Sequence, residues 1–193
     1  MFAPISARVR GSRRLAGGYY GGFVTMRHIR LLGDPVLRTP CDPVVAFDEE
    51  LRGLVADLMD TLTGEPGRAG VAAPQIGVGA RVFVWQTEEG SGHLVNPTVE
   101  RIGDEIQDDY EACLSLPGLG FRTPRAMHVR AHGVDQYGAP LTVAGSGFLA
   151  RALQHECDHL DGRLYVDTLS GAERREALRA VRAAPWAQPT KTV

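Results

Sequence analysis

Between Asp48 and Gly64 the apolar residues Leu51, Leu54, Val55, Leu58, Met59 and Leu62 recur with the period of a helix, about 3.6 residues, which gathers them on one face. Asp48 stands where an N-cap is needed, and Gly64, Pro66 and Gly67 end the pattern. The chain then changes period. Arg81 to Gln86 (RVFVWQ) is rich in β-branched and aromatic residues and reads as a strand, and His93 to Asn96 reads as another, stopped by Pro97. Met127–Asp135 and Leu141–Ala144 predict two more strands around a turn at Gln136–Pro140. Ile29–Leu37 reads as a short strand entering a turn at Gly33-Asp34-Pro35. Residues 98–110, with Asp104, Glu105, Asp108 and Asp109, read as a solvated loop or sheet edge. A second helix is expected from Phe148 through His159, and a third, capped by Ser170, over Gly171–Ala183, with a tail broken by Pro185 and Pro189. Helix, several strands, helix, helix is the order of an α+β fold rather than of alternating βαβ units. No internal repeat or linker divides it.

Composition narrows this picture. A chain of 193 residues suits one domain. A net charge of -2 argues against nucleic acid or an anionic membrane as the main partner, so neither a nucleic-acid site nor a membrane contact is expected. No stretch reaches the roughly 18 apolar residues of a membrane span. The three cysteines, Cys41, Cys113 and Cys157, are odd in number and widely spaced. They do not form a disulfide framework, and they suit a reducing, cytoplasmic setting. The first 25 residues carry Arg8, Arg10, Arg13 and Arg14 and no acid, with no sustained apolar core. They are expected to be a disordered N-terminal extension, with a single folded domain over residues 26–193.

The candidate chemistry lies on the second helix. His155-Glu156-Cys157-Asp158-His159 fits H-E-x-x-H. Residues four apart on a helix stack on one face, so both imidazoles can reach one ion, and Glu156 beside them can take a proton from water activated there. Phe148, Ala152, His155 and His159 share a face, with Leu149, Leu153 and Leu160 as packing beside it. A catalytic site of this kind needs a third protein donor. In the metzincin pattern that donor would fall at position 165, where this chain has Tyr165. In a thermolysin-like site it would be Glu173 or Glu176, both on the charged face of the last helix. Cys113, in a loop-like stretch before Pro117-Gly118, is the better candidate, because a thiolate suits a soft or borderline divalent ion.

Three segments together resemble peptide deformylase. Gly70–Gln75 (GVAAPQ) is similar to the end of that family's G-x-G-x-A-A-P-Q motif, Glu111–Ser115 (EACLS) to its E-G-C-L-S motif, and Gln154–Leu160 (QHECDHL) to its Q-H-E-x-D-H-L motif. They stand in the family's order at similar spacing, over about Arg27 to Leu169. The resemblance implies antiparallel or mixed β-sheets packed around a central helix that carries H-E-x-x-H. It also implies a metal-dependent hydrolase that removes the formyl group from N-terminal formyl-methionine of new polypeptides and releases formate.

In that family Cys113, His155 and His159 would hold one divalent ion, Fe²⁺ by preference, with Zn²⁺, Ni²⁺ or Co²⁺ as other occupants. Glu156 would act as base and then acid. Gln75 and the Leu114 N–H would hold the formyl oxygen. Ala69, Gly70, Glu111, Leu114, Phe148 and Ala152 would meet the substrate, a formyl-methionyl nascent peptide. The ribosome is a further expected partner, through Arg174, Arg175, Arg179 and Arg182 of the last helix. The chain departs from the family at Arg68 and Ala112, where glycines are usual, and at Gly120, where many relatives carry arginine; Arg122 lies nearby. Arg68 and Ala112 keep alive a binding module for peptide N-termini that does not turn over. A zincin-type peptidase is the other alternative.

Overall fold

The computed structural model describes residues 26–188; the expected N-terminal extension and the end of the tail lie outside them. The first helix, α1 (Glu49–Thr63), starts as the sequence requires: the Asp48 carboxylate accepts from the N–H groups of Glu50 and Leu51 at 3.1 Å each. Its stripe of Leu51, Val55, Leu58 and Leu62 is buried against Val71, Val82, Val84 and Val95. These last residues belong to β1 (Gly70–Ala72), β2 (Val82–Thr87) and β3 (Gly90–Arg101). With β6 (His128–Val134) and β7 (Pro140–Ser146) they form a five-stranded antiparallel sheet in the order β1-β2-β3-β6-β7. A separate antiparallel pair, β4 (Ile106–Ala112) and β5 (Gly120–Ala126), completes the strands.

Strand β2 explains why two helices flank the sheet. Its alternate side chains Val82 and Val84 enter the α1 core, while Phe83 and Trp85 enter a second core with Leu149, Leu153, Cys157 and Leu160. A strand buried on both faces reads as a continuous apolar run, as VFVW does. The second core is built on α2 (Gly147–Leu160), which contacts strands of both sheets. Each fully buried side chain of this size contributes roughly 1.5–3 kcal/mol.

Helix α2 stops immediately after its second histidine. Gly162 takes φ +71°, its N–H donates to the His159 carbonyl at 3.1 Å, and the Arg163 N–H donates to the Asp158 carbonyl at 2.8 Å. These are the paired bonds of a Schellman motif, which glycine permits. Beyond it, Leu164, Tyr165, Val166 and Leu169 pack with Cys113, Leu116 and Ala177 of α3 (Gly171–Ala183) into a third core. Tyr165 thus serves as buried packing where the metzincin pattern would need a ligand. Glu173 and Glu176 are exposed on α3.

The structure departs from the sequence reading at several points. Ile29–Leu37 contains no strand: it is an extended segment and a short 3-10 turn, Pro35–Arg38. Its backbone N–H groups at Arg30 and Leu32 bond the carbonyls of Gln75 and Ser115 at 2.7 and 2.9 Å, so it straps two loops together. Strand β3 does not stop at Pro97. A register shift between Val95 and Thr98, with Asn96 at φ 51°, carries it past the proline. The Asn96 amide then bonds both the N–H and the C=O of Val44 at 2.8 Å, replacing the lost ladder bonds. Residues 98–110 are exposed, as expected of an edge, but they belong to the ends of β3 and β4. Among the described residues no helix is long and apolar enough to cross a membrane.

Candidate active site

The three predicted donors come from two elements. Helix α2 supplies His155 and His159, and the turn after β4 supplies Cys113, held tight by the Leu116 N–H on its carbonyl at 3.0 Å. Their ligand atoms all lie within 4.8 Å of one another, and Cys113 Sγ is 3.2 Å from His159 Nε2. Donors on one tetrahedral ion stand roughly 3.3–3.6 Å apart at ordinary Zn–N and Zn–S distances, so the cluster is the right size for one. Tautomer and charge agree. His155 Nδ1 donates to Glu111 Oε1 at 2.7 Å, which leaves its Nε2 lone pair free. Burial alone would raise the Cys113 thiol, but His159 and His155 pull it well below the usual thiol range, toward the thiolate. Tyr165 stacks behind His155 with centroids 6.2 Å apart.

Glu111 sits in a buried ionic network. Burial would raise its carboxyl, but hydrogen bonds from Arg125, then from His155, hold it at about 2. Arg125 binds it through two bonds, Nε to Oε2 at 2.9 Å and Nη2 to Oε1 at 2.6 Å, and Arg151 Nη1 adds a third at 2.8 Å. Arg125 Nη1 reaches on to Asp158 Oδ2 at 2.6 Å. Two buried cations therefore face two buried anions, and the network joins β4, β5 and α2. Glu111 lines the cavity, yet both of its oxygens are engaged, so its work is to orient His155 rather than to meet peptide. Asp158 is likewise no surface ion pair, being 8% exposed.

Gln75 is 1% exposed, and its amide orientation is fixed. Oε1 accepts from the Ala72 N–H at 2.9 Å, so the NH₂ faces Cys113 Sγ at 3.6 Å and Ser115 Oγ at 3.3 Å. Glu156 is buried beside the cluster; burial first of all pushes its carboxyl up, to about 7, and its Oε2 has no partner among the described residues. The carboxylate lies against Gly70, where an added Cβ would stand 2.3 Å from Oε1. That glycine is needed for the close approach of Glu156.

All of these groups open on one cavity of about 860 Å³, whose lining includes Ala69, Gly70, Gln75, Glu111, Leu114, Phe148 and Ala152. Arg68 sits at its wall, tied to the Thr61 carbonyl and to Glu65 Oε2 at 2.6 Å. Arg122 is turned away from the lining and pairs with Asp108 at 3.5 Å. Sequence reasoning did not find Arg151 or Ser115. Arg151 had one available signal, a cation on the helix stripe that also carries Phe148, Ala152 and His155.

Comparison with known proteins agrees with this geometry. The profile of polypeptide deformylase matches residues 26–175. A peptide deformylase of Acidothermus cellulolyticus is 51% identical over 170 residues, covering 88% of this chain and 93% of its own. The crystal structure of the Thermus thermophilus peptide deformylase superposes with a TM-score of 0.75 at 38% identity, covering 82% of this chain and 94% of its own. A peptide deformylase of Synechococcus elongatus, solved in complex with actinonin, gives 0.74 at 35% identity, covering 82% and 89%. With that much of the chain shared at this identity, the chain belongs to the polypeptide deformylase family.

Proposed function

We propose that this chain carries out the family reaction, removal of the formyl group from an N-terminal formyl-methionine, with Cys113, His155 and His159 as metal ligands and Glu156 as the proton carrier. One observation carries the assignment: a thiolate-prone cysteine and two imidazoles converge beside a buried, unpaired carboxylate. A divalent ion held there supplies a Lewis acid and lowers the pKa of water from about 15.7 to about 7. The thiolate and imidazole donors suit Fe²⁺, which we take as the working ion, and Zn²⁺. On this reading α2 is the central helix on which the site is built, and residues 26–193 form one catalytic domain.

Each residue then has a stated task. Glu156 takes the proton of the attacking water at its carboxylate and returns it to the departing amine; a pKa near neutrality serves both directions. The Gln75 NH₂, pinned by Ala72 and joined by the Leu114 N–H, donates to the formyl oxygen as charge builds on it. Ala69, Gly70, Phe148 and Ala152 flank the peptide, and the exposed arginines of α3 offer a basic face to a ribosomal surface. Actinonin should occupy the same cavity.

Two expectations test the role of Glu156. Gly70→Ala adds the Cβ that meets Glu156 Oε1. It should leave thermal stability nearly unchanged, because the carboxylate is the mobile end of its side chain, but lower kcat about 100-fold through misplacement. Melting curves and formate release on the same preparation check this. The pH profile gives the second. Activity should fall on the acid side as Glu156 takes up its proton, with the limb at or below about 7, because a bound cation can only lower a carboxyl that burial has raised. To separate the deformylase reading from a peptidase, the metal-loaded protein is given formyl-Met-Ala-Ser. Formate and intact Met-Ala-Ser are expected; cleaved peptide bonds would overturn the assignment.

A further inference from the structure

Helix α2 turns Phe148, Arg151, Ala152, His155 and Glu156 toward the cavity, and Arg151 is the cation of that stripe. Its Nη1 is fully used, donating to Glu111 Oε2 and to the Thr123 carbonyl at 2.8 Å each. Its Nη2 is shielded from water and has no acceptor among the described residues. A guanidinium donor in that position carries an unmet demand for an acceptor.

Arg151 lies one turn before His155, roughly 6 Å along the helix axis. From a formyl carbon through N, Cα, Cβ and Cγ to the sulfur of methionine is five bonds, an extended reach of roughly 6 Å at ordinary bond lengths. With the formyl group at the Cys113–His155–His159 cluster, a side chain running along α2 brings its sulfur level with Arg151. We propose that Arg151 determines which first side chain the cavity accepts, by offering Nη2 to an acceptor at the sulfur position, an assignment that rests on the deformylase reading above. A thioether is a weak acceptor, a sulfoxide oxygen a strong one, and the methylene of norleucine is none.

The test compares kcat/KM of the metal-loaded holoenzyme on formyl-Met-Ala-Ser, its norleucine analogue and its methionine sulfoxide analogue. The wild type should prefer methionine to norleucine about threefold to tenfold and process the sulfoxide within about tenfold of methionine. In Arg151→Met the methionine-to-norleucine ratio should fall to about one, and the sulfoxide should lose about tenfold relative to methionine. Arg151→Lys keeps a cation for Glu111 but not the second amino group, so it should shift the ratios the same way even where the Met variant fails to fold. A purely structural role, exerted through Glu111, would slow all three substrates by one factor. Unchanged ratios in the variants, or a wild type that treats methionine and norleucine alike and rejects the sulfoxide, would overturn the proposal. No turnover of any of the three by the wild type would bring down the deformylase reading itself, and this inference with it.

Discussion

Glu156→Gln is expected to lower kcat by about 10²–10⁴ while the protein still binds one metal ion per chain. The amide has the shape of the carboxylate and cannot carry the proton. Glu156 is 3% exposed and its carboxyl is raised by burial, so the neutral amide fits the site with less desolvation and the melting temperature should stay level or rise. Loss of rate with metal retained places Glu156 in proton transfer. Loss of metal would make it a ligand and would require a different arrangement at the cluster.

Cys113→Ser should produce the second large effect, on metal affinity. A serine hydroxyl is neutral at pH 7 and donates far less charge than the thiolate that His159 and His155 favour here. Replacing a partner outside the ligand set commonly costs about 10–100-fold in affinity, so losing a ligand should exceed that, with activity falling in step. Chelator competition followed by metal analysis measures it. The variant should fold, since Cys113 Sγ otherwise receives only long contacts, 3.4 Å from the Ser115 N–H and 3.6 Å from Gln75 Nε2. A site resting on the two histidines and a downstream glutamate would keep its ion, and the position of Glu173 and Glu176 on the exposed face of α3 argues against that.

The sequence was legible wherever a local period coincided with burial. The stripe of α1 and the VFVW run of β2 each report a buried face, and the stacked pair His155 and His159 follows from helix geometry alone. It was misleading where a partner distant in the chain decides. The apolar run Ile29–Leu37 looks like a strand, but its backbone bonds go to Gln75 and Ser115, which no local pattern reveals. Pro97 is a sound stop signal that Asn96 defeats by bonding Val44 from its side chain. Strands β4 and β5 carry Asp108, Asp109 and Pro124 on an exposed two-stranded sheet, so they lack both alternation and β-propensity. The ligand set was readable because its chemistry is rare, whereas Arg125 and Arg151 were hidden among 21 basic residues until folding brought Glu111 between them.

The account turns on a single ion at Cys113, His155 and His159 supporting formyl hydrolysis. The most direct measurement is an anaerobic titration of Fe²⁺ into the metal-free protein, with formate release from formyl-Met-Ala-Ser followed at each addition. The rate should rise in proportion to added metal and level off at one ion per chain. Full activity without metal, or no formate at one bound ion per chain, would contradict it.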